Sequence, residues 1–393
     1  MSFPALVEPG AELTAEAQER YARQRLLPGV DTIGQRRLAN ARVLVIGAGG
    51  LGSPVLQYLA AAGVGTIGIV DDDVVDLSNL QRQVIHTVAD LGSSKVTSAR
   101  DAVLALNPAI NVIMHELHLD SHNCLEVFRG YDLIVDGADN FATRYLANDA
   151  ATLLGVPYIW GAIYQFDGQV SVFWEDAPGG EGVGYRDVFP EPPAAGTVLS
   201  CAEAGVFGAM CGSIGSIMAT EAIKLIVGIG KPLLGRLLTF DVLTGSWREV
   251  PVRRNPDRSR VDHLIDYDVF CGVADAVDHV AEISASELSA RLGARENGEA
   301  EFVLIDVRDA SEHAFSAIPG DVLIPYLGII DGSARSQIPK TPVVLYCQTG
   351  VRSAAAATAL TAAGWSDVEH LAGGIQSWST RVSPAVDGAT ARG

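Results

Sequence analysis

Residues 42–52 read RVLVIGAGGLG: a β-branched run (Arg42–Ile46) ends directly in Gly47, Gly49 and Gly52, and an Ala- and Leu-rich stretch follows to Ala62. G-x-G-x-x-G placed between a strand and a helix permits a tight turn and lets phosphate oxygens approach backbone amides at the positive helix end. A second run, Thr66–Val70 (TIGIV), closes in Asp71, Asp72 and Asp73. Asp71 thus ends the next strand, where a carboxylate accepts ribose hydroxyls. Further apolar runs at 112–114, 133–135 and 158–163 are separated by helix-length segments. Strands alternating with helices specify an α/β fold of Rossmann-like type, a parallel sheet covered on both faces. Residues 169–174 and 237–252 read instead as antiparallel strands appended to it, which makes the sheet mixed.

A chain of 393 residues suggests two or three domains at roughly 100–200 residues each. With 28 basic and 47 acidic residues the formal net charge is −19, which argues against nucleic acid or an anionic membrane as partner. Cys124, Cys201, Cys211, Cys271 and Cys347 are odd in number and form no close C-x-x-C pair, so a reducing cytoplasm is expected rather than a disulfide framework. The opening residues show no basic segment followed by an apolar run and are not read as a signal peptide. The apolar stretch 206–230 contains Glu221 and Lys224 and is read as a buried helix, not a span. Residues 179–195, rich in Gly, Pro and Glu, read as a mobile surface loop. Around 253–278 charges cluster without periodicity, and a new α/β pattern begins after them. The expected organisation is an N-terminal extension (1–17), a nucleotide domain (18–255), a linker (256–280) and a small α/β domain (281–393).

The residues after Asp73 decide between a dinucleotide and ATP. The sequence runs VVDLSNLQRQ, and Lys95 comes shortly after. Arg82 and Lys95 are cations able to neutralise a triphosphate, Asn79 can donate to it, and Asp139, after the fourth run, sits where a carboxylate would hold Mg²⁺. Hydride transfer needs none of this equipment.

The stretches GAGGLGSPVLQYLAAAGVG, DLSNLQRQ, GSSKV, GADN and RYARQ resemble the MoeB/ThiF family, bacterial relatives of ubiquitin-activating enzymes, over about residues 18–255. The resemblance implies adenylation of the C-terminal glycine carboxylate of a ubiquitin-like sulfur carrier ending in Gly-Gly. It implies ATP contacts from Gly47, Gly49, Gly50, Asp71, from Ser78, Asn79, Leu80, Gln81 and Arg82 of the SNLQR segment, from Lys95, and from Asp139 and Asn140 of GADN, with Mg²⁺ on Asp139. It also implies a homodimer in which Arg23 reaches the phosphates of the partner subunit's site. Relatives commonly carry two C-x-x-C pairs for a structural zinc. Here the first pair falls on Gly184-Tyr185-Arg186-Asp187 and the second on the neighbourhood of Arg258, so no structural zinc is expected. His115, His118 and His122 are read as surface histidines without a metal.

Near the other end, Cys347-Gln348-Thr349-Gly350-Val351-Arg352 comes directly after the apolar run VVLY and opens an alanine-rich helix. Amides of such a loop point at the sulfur, next to a helix N-terminus and an arginine, which favours a thiolate and stabilises an anionic persulfide. C-x₄-R is one residue shorter than a tyrosine-phosphatase loop. This loop, IDVRD (305–309) and AGGIQSW (372–378) resemble single-domain rhodaneses over about 281–393. The resemblance implies that Cys347, helped by Arg352, takes sulfur from thiosulfate or from a cysteine-desulfurase persulfide. Cys201 matches the family's crossover-loop cysteine, for which a structural role and two functional ones stand open: resolving an acyl disulfide on the way to a carrier thiocarboxylate, or forming a thioester for conjugation. Cys124 and Cys211 read as packing residues.

Overall fold

Strand β1 (Arg42–Ile46) sits in the middle of the first sheet, with no exposed surface on Val43, Leu44 and Val45. β2 (Thr66–Val70), β3 (Asn111–His115), β4 (Leu133–Asp136) and β5 (Tyr158–Tyr164) run parallel to it in the order β3-β2-β1-β4-β5. β6 (Asp167–Phe173), β7 (Arg236–Asp241) and β8 (Ser246–Pro251) then extend the sheet antiparallel, to eight strands. β1, β2 and β4 are almost wholly apolar and buried because helices cover both faces of a parallel sheet. The appended β8 is mostly exposed. The computed structural model describes residues 3–180, 182–193, 205–271, 281–330 and 332–381, divided into two compact units.

Strand order reverses at β1, with β2 on one side and β4 on the other. Ile46 pairs in register with Val70 and with Asp136, so the loops leaving all three strands emerge together at one edge. That crevice is where open α/β sheets bind ligands. Helix Gly52–Ala62 starts there, and helix Gly208–Val227 packs against it and against β5. The latter is long and apolar enough to cross a membrane, yet Met210, Ile214, Met218, Ala222 and Leu225 are fully buried in the core. Its buried Glu221 is paired with Lys224 at 2.6 Å and accepts the Leu233 amide at 2.7 Å.

Two segments expected to be loop or linker carry packed residues. Within 179–195, Tyr185 is fully buried and its ring meets those of Tyr145, Trp160, Phe173 and Phe189 at 4.8–5.6 Å. Gly and Pro mark turns, but one aromatic anchor is enough to pin the segment. The linker expected from 256 is also packed where it begins: Arg258 bridges Asp187 at 2.8 Å and Glu175 at 2.7 Å, and the Tyr267 hydroxyl donates to Asp149 at 2.7 Å. The first unit therefore runs on to Phe270.

The second unit holds a parallel sheet in the order β11-β10-β12-β13-β9, formed by β9 (Ala281–Ile283), β10 (Val303–Asp306), β11 (Val322–Leu323), β12 (Val343–Tyr346) and β13 (Val368–Leu371). Helix Val351–Ala362 leaves the end of central β12 through the Cys347 loop.

Candidate active site

Gly47, in the left-handed region at φ 83°, turns the chain out of β1. A side chain at Gly52 would meet the Gly47 carbonyl oxygen at 1.8 Å, so the helix can approach the loop this closely only with glycine there. Asp71, at the end of β2, accepts the Ala48 amide at 2.8 Å and the Asp73 amide at 2.9 Å. Burial pushes the Asp71 pKa up, against the pull of Lys95.

The Ala48 carbonyl, in the next peptide, is held by His86, which sequence reasoning missed. Its Nε2 donates to the Ala48 carbonyl at 2.9 Å, which leaves Nδ1 to accept the Ser98 hydroxyl at 2.7 Å. Burial is the main cause that lowers the His86 pKa, so the ring stays neutral in the form this geometry requires. A histidine one turn past SNLQRQ carries no local signal for this; its partner lies 38 residues away.

The crevice at the ends of β1, β2 and β4 forms a cavity lined by Gly47, Gly49, Gly50, Asp71, Arg82, Lys95, Asp139 and Asn140. Lys95, only 8% exposed, opens helix Lys95–Leu106 and pairs with the Asp73 carboxylate at 2.8 Å. Arg82 donates to the Ser78 carbonyl at 3.1 Å. Ser78, Asn79, Leu80 and Gln81 do not line the cavity. In a short 3₁₀ turn the Asp76 carboxylate accepts the Ser78 amide at 2.8 Å, and Asn79 Oδ1 accepts the Asp76 amide at 3.2 Å. These side chains shape the turn that presents Arg82. Asn140 caps helix Phe141–Leu154 by accepting the Thr143 amide at 2.8 Å.

Gln83, Arg144, His118 and Cys211 are among the cavity residues not expected from the sequence. Gln83 is buried, and its Oε1 has no hydrogen-bond partner among the described residues. Arg144 donates to the Ala138 carbonyl at 3.1 and 3.3 Å. His118 pairs with Asp72 at 3.0 Å. Cys211, read as a packing residue, is buried but also lines the cavity, where a side chain at Gly50 would meet its Sγ at 2.9 Å. His115, read as a surface residue, is half-buried and bonds the Tyr131 hydroxyl at 2.8 Å. Arg23 is exposed on helix Ala22–Arg25 and does not line the cavity of its own chain. Cys201 lies outside the described residues.

A magnesium ion fits this donor set. The Asp139 carboxylate is exposed beside the cavity and takes no hydrogen bond or ion pair among the described residues. Mg²⁺ is typically held by one or two carboxylates together with substrate phosphates.

In the second unit Cys347 ends β12, and its sulfur accepts the Gly350 amide at 3.1 Å, with the Ser353 hydroxyl, which donates to the Gly350 carbonyl at 2.9 Å, lying 3.6 Å away. Gly350 adopts φ 103°, which turns the loop into the helix. From behind, the Ile375 amide donates to the Cys347 carbonyl at 2.8 Å and the Gln376 amide to Gln348 at 3.2 Å. A side chain at Gly374 would meet the Cys347 carbonyl oxygen at 2.5 Å, which explains the paired glycines of AGGIQSW. In IDVRD, buried Arg308 pairs with Asp306 at 2.7 Å and reaches the Gln348 amide oxygen at 3.2 Å. The Arg352 guanidinium, expected beside the sulfur, is directed into a two-pronged ion pair with Glu312, both contacts 2.8 Å. A carboxylate one turn into helix Ala310–Phe315 is a better partner for the planar fork than a single sulfur.

A phosphate-binding glycine loop with cations and a carboxylate, and a cysteine in an amide cradle, define a two-module enzyme of nucleotide-dependent activation and sulfur transfer. The chain belongs to the ThiF family, which it matches over residues 21–261, and a rhodanese-like domain matches residues 284–381. It is 55% identical to the "Probable adenylyltransferase/sulfurtransferase MoeZ" of Mycobacterium tuberculosis, over 98% of each chain. It is 54% identical to the sulfur carrier protein adenylyltransferase of Thermus thermophilus, over 66% of this chain and 98% of that one. Among solved structures, Escherichia coli MccB with MccA-N7isoASN shares the fold at TM-score 0.55 and 23% identity, over 62% of this chain and 74% of that one. The protein is an adenylyltransferase and sulfurtransferase that uses ATP.

Proposed function

We propose that the chain activates the C-terminal glycine carboxylate of a ubiquitin-like sulfur carrier ending in Gly-Gly and replaces the activated oxygen with sulfur. The observation that carries this reading is the presence, in one chain, of Arg82, Lys95 and Asp139 around a phosphate-binding loop and of Cys347 in a cradle of donors. A carboxylate is a weak nucleophile, and its attack on the α-phosphorus drives negative charge onto the departing pyrophosphate. Arg82 and Lys95 would stabilise that charge. Magnesium, bound through Asp139, would neutralise phosphate charge further. The product is an acyl adenylate.

Sulfur from thiosulfate or from a cysteine-desulfurase persulfide is loaded on Cys347. The terminal persulfide sulfur attacks the acyl carbon, AMP leaves, and an acyl disulfide forms on Cys347. Release of the thiocarboxylate requires two electrons from a thiol, for which Cys201 is the candidate within the chain. The alternative, a lasting thioester on Cys201 for conjugation, gives no work to the rhodanese-like module and is not favoured. Arg23 of the partner subunit would complete the phosphate site in a homodimer. A cytoplasmic setting would keep the thiols reduced, and no disulfide joins the four described cysteines.

The test is Cys347→Ala. ATP–pyrophosphate exchange with a carrier should persist while thiocarboxylate formation, read by mass spectrometry of the carrier, is abolished. Loss of both activities together would contradict the division of labour.

A further inference from the structure

We propose that Glu312 sets the class of sulfur donor accepted at Cys347: by engaging Arg352, it directs the site to a persulfide carried on a thiol in preference to a small dianion such as thiosulfate. The proposal rests on the sulfur-transfer reading of Cys347.

Gln348, Thr349, Gly350 and Val351, between the cysteine and Arg352, are all uncharged. Arg352 is therefore the loop's one cation, yet it is 5% exposed and held by Glu312 through two 2.8 Å contacts. Burial raises the Glu312 pKa, but the hydrogen bonds from Arg352 and the Asp309 amide outweigh it and keep the carboxylate ionised. The neighbouring cation, Arg308, is 1% exposed and committed to Asp306. Both guanidinium groups are thus neutralised within the fold, and the Gly350 amide donates to the sulfur.

An anionic cysteine attacking thiosulfate brings like charges together, and residues 281–393 add no long-range attraction, with eight basic against thirteen acidic side chains. A thiol-borne persulfide has less charge to compensate and an organic body to contact the protein. Exposed apolar side chains are available to contact it: Val351, within the loop, is 68% exposed, and Phe315, which closes the helix carrying Glu312, is 92% exposed. In either case the Cys347 thiolate attacks the outer, sulfane sulfur and forms the Cys347 S–S bond. The donor's S–S bond breaks, and sulfite leaves from thiosulfate or a thiolate from the persulfide. No outside oxidant or reductant is required.

Wild type and Glu312→Gln, as full chains, would be loaded from thiosulfate or from 2-mercaptoethanol persulfide, with sulfur read out as thiocyanate on transfer to cyanide. Gln keeps an oxygen for the Asp309 amide and so preserves the helix cap. Freed Arg352 should lower the thiosulfate KM about tenfold with kcat little changed, while the persulfide KM stays within about twofold. A second readout needs only the wild type: its thiosulfate KM should stay level or fall as salt screens repulsion, whereas an available cation would make it rise. An unchanged ratio of donor efficiencies in Glu312→Gln, or a wild-type KM that rises with salt, overturns the assignment. If neither donor loads Cys347 in the wild type, the sulfur-transfer reading falls, and this one with it.

Discussion

Lys95 and Asp73 form an ion pair of 2.8 Å in which the lysine is buried and the aspartate is 70% exposed. The pair holds the cation at the cavity wall until phosphate arrives. An ion pair with one solvated partner contributes about 0–1 kcal/mol, so a triphosphate can displace Asp73 at little cost. Lys95→Met should lower ATP–pyrophosphate exchange by about a hundredfold, the usual scale for losing one fixed charge at a developing anion. Asp73→Asn should lower the ATP KM by no more than about fivefold. A rise in KM in Asp73→Asn would mean that Asp73 itself contacts the nucleotide.

Asp139 tests the separation of the two chemistries. Asp139→Asn should reduce exchange by at least about a hundredfold, yet leave sulfur loading of Cys347 at the wild-type rate. Unaltered exchange would remove Asp139 from the metal site.

His86 makes stability depend on pH. Its folded pKa lies below 6.5 because of burial, whereas in the unfolded chain it takes a proton near the ordinary value. The unfolded state thus binds more protons between the two values, and stability present above about pH 6.5 is lost as pH falls toward the folded pKa. His115 and His370 are lowered by burial in the same direction. His86→Gln should accordingly make the acid-side decline of Tm shallower without flattening it. Calorimetry across that window that gives parallel curves would exclude the neutral, buried role.

Arg258 ties together the segments around 175, 187 and 258. Asp187 and Glu175 have side chains only 0% and 2% exposed, and removing their shared cation strands two buried carboxylates. Arg258→Ala should cost about 3–5 kcal/mol in denaturant unfolding. Because the sequence leads one to expect no structural zinc, EDTA should leave the Tm of the wild type unchanged, and a chelator-induced drop would show that a structural metal is held.

Much of this architecture was legible because its determinants are local. Strands β1 to β5 appeared as β-branched or apolar runs, and β1 and β2 were bounded as observed, since a buried parallel strand must be continuously apolar and its glycine turn comes at once. Gly47, Asp71, Arg82, Lys95 and Asp139 share the cavity as the motif spacing led one to expect. Other contributions left no such mark. His86 meets Ala48, and Arg258 meets Glu175 across 83 residues; no periodicity encodes contacts between segments so far apart. The burial of Tyr185 left no mark for the same reason, because composition reports turn residues and is blind to where one aromatic ring inserts.

The amino-acid sequence alone determined the two modules and which loops carry the glycines and the nucleophilic cysteine, because backbone conformation and the alternation of apolar runs are set by neighbours in the chain. Only the tertiary structure decided what each charged side chain is available to do. Arg352 is committed to Glu312, Arg308 to Asp306 and Lys95 to Asp73. A charge seeks whichever opposite group the packed fold brings within reach, and that choice is made in space.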